Sequence, residues 1–189
     1  TDIGEEAFED CRNITSVVIG KNLKNVGGGA FRWCIRLVEI VNHSDLELEK
    51  GSEDNGYIAS NVINIKTDGE SEVVNNGGYF FYTYDGVNYL LEYTGNETDL
   101  VLPDSYKGET YKIHDYAFAN ENDLESVVIG DGVVGIGDYA FATCPSLTDL
   151  SIGDGIAYIG YNAFDGSNIE FNEYDNAFYL GNDKNKYVV

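Results

Sequence analysis

The sequence predicts a β-dominated solenoid built from short coils, and three observations carry that prediction. The phrase Ile-Gly-x-x-Ala-Phe stands at Ile136 to Phe141 and returns 23 residues later at Ile159 to Phe164. It recurs, altered, at Ile113-His114-Asp115-Tyr116-Ala117-Phe118, and near the start at Ile3 to Phe8 and Val26 to Phe31. Between these phrases a second set keeps the same period: Ile14-x-x-Val17-x-Ile19-Gly20, Leu37-x-x-Ile40, Leu124-x-x-Val127-x-Ile129-Gly130 and Leu147-x-x-Leu150-x-Ile152-Gly153.

Each unit therefore reads as a short strand with period-2 alternation, a glycine turn, a second extended piece and a compact Ala-Phe turn. A unit this small cannot bury its apolar face alone. Stacking gives every Leu, Ile, Phe and Ala a like neighbour at about the 4.8 Å strand spacing, so the predicted core is a set of ladders. Cys11, Cys34 and Cys144 each stand three residues after a repeat Phe, which makes them small apolar members of one ladder. An odd number of cysteines with no Cys-x-x-Cys spacing argues against a zinc site or a redox pair.

The combination resembles the BspA-type leucine-rich repeats of bacterial surface proteins, closely at Leu124 to Cys144 and Leu147 to Phe164, clearly at Ile3 to Cys34. Glu121 and Ser167 replace the repeat's Cys, and His114 its Gly, without touching the apolar ladder. The resemblance implies a leucine-rich-repeat solenoid, horseshoe-like, of α/β class but β-dominated with short helical turns. It also implies an extracellular or cell-surface location, and adhesion to host matrix proteins such as fibronectin and fibrinogen.

The expected organisation is residues 1–40 as a first run of repeats, 41–99 as a β-rich insertion, 100–170 as a second run, and 171–189 as the start of a second hairpin insertion or an edge. The 23-residue rhythm stops at about Val41 and resumes at Leu100-Val101-Leu102-Pro103. Ile113 then follows four residues late, which places an enlarged turn around Asp104 to Gly108. Within 41–99, aromatic and β-branched residues at Tyr79 to Tyr84 and Tyr89 to Tyr93 flank Asp85-Gly86, a hairpin signal. Phe178 to Leu180 and Tyr187 to Val189 flank Gly181 to Asn185 in the same manner. Leu46 to Ile65 reads as one strand or a short helix packed on the flank. Thr1 falls inside a repeat, so the chain reads as an excerpt of a longer protein.

Composition narrows function by exclusion. At 189 residues and 43% hydrophobic content the chain has material for a linear core. The formal net charge of −22 lacks the basic footprint of a nucleic-acid binder, and no apolar run is long enough to span a bilayer. Cys144 is expected inside the core and His114 on a turn, which does not suit a Cys-His nucleophile. Val26-Gly27-Gly28-Gly29-Ala30 lacks the Lys-Ser/Thr of a phosphate loop, and Asn182 to Asn185 lacks the ligand order of a calcium loop. We therefore expect no catalytic residues, no cofactor and no metal.

The expected role is a non-enzymatic scaffold that binds a protein ligand. The candidate contacts are the outward strand positions Ser16, Val18, Glu39, Ser126, Val128, Asp149 and Ser151, together with the hairpin rings Tyr82, Tyr84, Tyr89 and Tyr93. The alternatives are a carbohydrate ligand stacked on those rings, and a structural spacer that holds another domain away from the cell.

Overall fold

The computed structural model describes residues 1–174, 177–181 and 186–188. The chain forms two compact units, residues 1–74 and 75–189. Each is a β-solenoid with its own core.

In the first unit the elements are β1 (Asp2–Ile3), β2 (Ser16–Ile19), β3 (Asn25–Val26), β4 (Glu39–Asn42), a single 3-10 turn at Asn55–Tyr57, and β5 (Asn64–Lys66). β2, β4 and β5 make one parallel sheet and β1 and β3 another. Ser16 pairs with Glu39, so β2 and β4 are related by the 23-residue repeat. β5 then stacks on β4 with Glu39 opposite Asn64. The coil therefore continues past Val41, where the sequence pattern fades. Ile58, Ala59 and Val62 enter the same core as Phe31, Cys34, Leu37 and Ile40. The Gly56 carbonyl receives the Phe31 amide at 2.7 Å, as the Ala30 carbonyl receives that of Phe8 at 2.8 Å. Gly56 is required there: its φ is +66°, and an added Cβ would lie 2.2 Å from the Gly27 carbonyl oxygen.

The second unit holds β6 (Val74–Asn76, beginning at the boundary), β7 (Tyr79–Tyr84), β8 (Val87–Tyr93), β9 (Asp99–Val101), β10 (Tyr111–Ile113), β11 (Ser126–Ile129), β12 (Val133–Ile136), β13 (Asp149–Ile152), β14 (Asn172–Tyr174), β15 (Ala177–Gly181) and β16 (Lys186–Val188). β9, β11 and β13 form one parallel sheet. Its registers are Asp99 with Ser126 and Ser126 with Asp149, so the first step carries four residues more than the 23 of the second. The surplus is the enlarged turn, closed by an antiparallel bridge from Tyr106 to Glu109. Tyr106 is buried there and stacks on Phe81 with centroids 4.1 Å apart.

The Asp-Gly hairpin forms as expected, with β7 antiparallel to β8. β8 also takes a place in the repeat: it pairs in parallel with β10, which pairs in parallel with β12. At the other end β15 is antiparallel to both β14 and β16, and the connecting turn proposed at Asn182 to Asn185 lies outside the described residues.

Ladders hold the coils. Phe118 and Phe141 stack at 4.8 Å and Phe141 and Phe164 at 5.4 Å, while Phe8 and Phe31 stack at 5.0 Å in the first unit. Each ring thereby meets another at near-ideal contact distance, and the backbone beside it donates coil to coil: Phe118 to Ala140 and Phe141 to Ala163, both at 2.7 Å. Carboxylates extend the pattern into the turns. Asp115 accepts the Asp138 amide at 2.8 Å, and Asp138 accepts that of Tyr161 at 2.7 Å.

Candidate functional site

Alternation along β11 sends Val127 and Ile129 into the core and leaves Ser126 and Val128 pointing out. Registers then line up two outward rows in the second unit, Asp99-Ser126-Asp149 and Val101-Val128-Ser151. Val101 is 69% exposed and Val128 40%, and Asp99, Asp149 and Ser151 are exposed too. The face carries two exposed valines beside a row with two carboxylates. Ser126 Oγ donates to Asp99 Oδ1 at 2.5 Å and Thr148 Oγ1 to Asp149 Oδ2 at 2.8 Å, which orders the carboxylates without covering them. Such a surface offers hydrogen-bond acceptors and apolar contact area.

The matching rows of the first unit are Ser16-Glu39-Asn64 and Val18-Val41-Lys66. Val18 is 53% exposed and Ser16 half-buried, but Glu39 and Val41 have no exposure at all. The sequence places Glu39 among the exposed contacts, and the structure corrects that expectation. The chain after β5 returns across the sheet and is fastened to the carboxylate: Ser71 Oγ donates to Glu39 Oε2 at 2.7 Å and the Glu72 amide at 3.0 Å. Lys66 Nζ lies 3.1 Å from Glu39 Oε1 and 2.7 Å from Glu72. Desolvation opposes the Lys66 charge, and the two carboxylates outweigh it, so the ammonium pKa is raised. One signal of this strap was in the sequence: Glu39 and Lys66 occupy strand positions where the second unit has only Ser, Asp and Val.

The hairpin rings are not a free platform. Tyr82 is buried, which corrects its assignment as an exposed anchor, and Tyr84, Tyr89 and Tyr93 are half-buried. Tyr82 and Tyr84 stack at 6.4 Å, Tyr89 meets the His114 ring edge-on at 5.6 Å, and Tyr93 lies 4.5 Å from Tyr79 with its hydroxyl donating to Glu97.

Cys144 is buried and its thiol donates to the Phe118 carbonyl at 3.1 Å; Cys34 does the same to Phe8 at 3.1 Å. All three cysteines are free thiols. Burial, then the neighbouring Cys11, pushes Cys34 up to about 11. His114 is half-buried, and desolvation lowers its pKa against the pull of Asp115. Among the described residues no three His, Cys, Asp or Glu side chains come together to hold a metal, and no helix is long and apolar enough to cross a membrane.

Six copies of the BspA type leucine-rich repeat region match residues 1–90 and 111–180. The chain belongs to the BspA-type leucine-rich repeat family. The match runs through the stretch around 41–90, where the sequence pattern fades but β5 still stacks in parallel on β4 and β8 on β10. Among solved structures, the chain is similar to a leucine rich cell surface protein from Faecalibacterium prausnitzii, at 20% identity and a TM-score of 0.51. That likeness covers 87% of this chain but 48% of the other, so the chain spans about half the length of that relative, and it supports the fold alone. A leucine-rich repeat protein from Bacteroides capillosus is 26% identical over 53% of this chain and 99% of its own, with a TM-score of 0.44. No curated protein matches. As a BspA-type repeat protein the chain is a repeat scaffold, and its outward faces are where such a scaffold differs from coil to coil.

Proposed function

We propose that this chain is a non-enzymatic recognition module of a bacterial surface protein, and that it binds a protein ligand through the outward face of β9, β11 and β13. The observation that carries this reading is the open pair of rows there, with Val101 and Val128 exposed side by side and Asp99 and Asp149 flanking them. Exposed β-branched residues on a rigid sheet lose little entropy on binding, and coil stacking fixes their spacing. The net charge of −22 favours a partner that presents basic or neutral polar groups.

A matrix protein such as fibronectin or fibrinogen is the proposed partner class, and the cell exterior the proposed location. The recognition segment is proposed to be the second run of repeats, 100–170, together with Asp99 just before it. The burial of Tyr82 and the half-burial of the other hairpin rings count against a sugar platform.

The test is binding of the monomer to immobilised fibronectin, fibrinogen and a glycan panel at physiological salt, for the parent chain and for Val101→Lys with Val128→Lys. Saturable protein binding that weakens by about tenfold or more in the double variant supports the reading. Binding unaffected by that variant, or silence across the panel, overturns it.

A further inference from the structure

A second surface of residues 75–189 lies on the outward side of β8, β10 and β12. Tyr89, Lys112 and Gly135 succeed one another across it, since Tyr89 pairs with Lys112 and Lys112 with Gly135. Tyr158 lies over Gly135 so closely that a Cβ there would come within 2.3 Å of its ring, and Tyr158 is still 43% exposed. Lys112 Nζ sits over the same ring, 5.5 Å from its centroid. This surface thus already holds one cation against an aromatic face.

Its surroundings are anionic. Asp115 and Asp138 stand exposed two residues beyond the ends of β10 and β12, joined by the hydrogen bond from the Asp138 amide, and Ile136 bridges to Ile159 next to Tyr158. From Ile113 to Glu170 the sequence has no lysine or arginine, while every coil carries carboxylates. An exposed ring beside carboxylates that outnumber the one nearby ammonium attracts a flat, weakly hydrated cation, which can stack on the ring and be held by carboxylates at its edge.

We propose that this surface docks an arginine-bearing basic segment of a protein partner, with a guanidinium stacked on Tyr158 and drawn by Asp115 and Asp138. Lys112 is then the internal cation that the incoming arginine displaces. The site is separate from the β9, β11 and β13 face, so the two proposals stand or fall independently.

The test uses the whole chain and two fluorescent probes, octa-arginine and octa-lysine, titrated by anisotropy at 150 mM salt, about the physiological ionic strength. Asp115→Asn with Asp138→Asn removes two charges yet keeps the oxygens that accept the Asp138 and Tyr161 amides. Asp123→Asn with Glu125→Gln removes the same charge elsewhere on the unit, and melting curves confirm that each variant folds. We expect octa-arginine to bind more tightly than octa-lysine. Tyr158→Ala and the Asp115/Asp138 pair should each weaken it by about tenfold, the Asp123/Glu125 pair by less than about twofold, and Lys112→Gln should tighten it. Tyr158→Phe should retain binding. Equal losses from the two carboxylate pairs, equal binding of the two probes, or no loss with Tyr158→Ala would overturn the proposal, as would failure of octa-arginine to bind. Val101→Lys with Val128→Lys, which probes the other face, should leave the difference between Tyr158 and Tyr158→Ala unchanged.

Discussion

β4 of the first unit and β11 of the second occupy corresponding places in the repeat, each stacked between a strand before and a strand after and each preceded by an apolar Leu, though β4 carries Asn42 where β11 carries Ile129. β4 is buried on both sides, whereas the outward side of β11 meets solvent at Val128. The cores do not account for this, because both units stack Phe on Phe and bury Leu, Ile and Val around the rings. The difference lies in the segment after β5, where Ser71 and Glu72 close on the Glu39 carboxylate. After β13 no such strap is seen among the described residues that accompany the sheet, and Asp149, at the position of Glu39, stays exposed. In a solenoid the inward pattern sets the fold, and a few outward residues with one connecting segment decide which faces remain for a partner.

The largest expected effect tests the half of this comparison that says the cores are alike and additive. Phe141 stacks on rings from both adjacent coils and is fully buried, so Phe141→Ala should cost about 3–5 kcal/mol in urea denaturation. Phe8 is 39% exposed with a single stacked partner, and Phe8→Ala should cost about half as much or less. Equal costs would mean that ladder position does not matter.

Next comes the strap. Glu39→Ala leaves Ser71 and the Glu72 amide without their acceptor and Lys66 with Glu72 as its remaining carboxylate, a loss of about 2 kcal/mol. Asp149→Ala, at the corresponding open position, should change stability by less than about 0.5 kcal/mol. Amide exchange at residues 67–73 should accelerate in the first variant, and unchanged protection there would break the comparison.

Smaller effects follow from titrating groups. Cys34, pushed up to about 11 by burial, should resist a thiol reagent at pH 8 far longer than the half-buried Cys11. Mass spectrometry of the labelled chain reads this directly, and equal rates would contradict the ladder assignment. His114 has a lowered pKa, so it is neutral in both states above about pH 6.5. As pH falls below that, the unfolded chain takes up the proton first, and the stability present at neutral pH is lost as the folded value is approached. The parent should lose a few degrees more in Tm between pH 7 and pH 5 than His114→Gln does, and no difference would refute the shift.

Much of the fold could be read from period alone. The 23-residue recurrence specifies which residues stack, and the four surplus residues before Ile113 do form a turn, at Tyr106 to Glu109. The repeat is harder to read at 41–99 because Ile58 and Ala59 enter the core without an Ala-Phe phrase, and Tyr89-Leu90 stands where the next coil has Lys112-Ile113. Backbone hydrogen bonding tolerates that change while a pattern match does not. The outward faces were less legible still. Alternation identified Ser126, Val128, Asp149 and Ser151 as outward, but outward is not exposed: the burial of Glu39 depends on a segment more than thirty residues away in sequence. Nor does alternation reveal that Tyr158 reclines on Gly135, a contact created by the absence of a side chain.

The most direct test of the account is carbodiimide footprinting of the native chain, in which exposed carboxylates are amidated and the modified peptides are counted over time. Asp99 and Asp149 should be modified rapidly while Glu39 stays unmodified until denaturant is added, which would establish one covered face and one open face. Modification of Glu39 in the native chain at the rate of Asp149 would contradict it, and the distinction between the two sheets would fall.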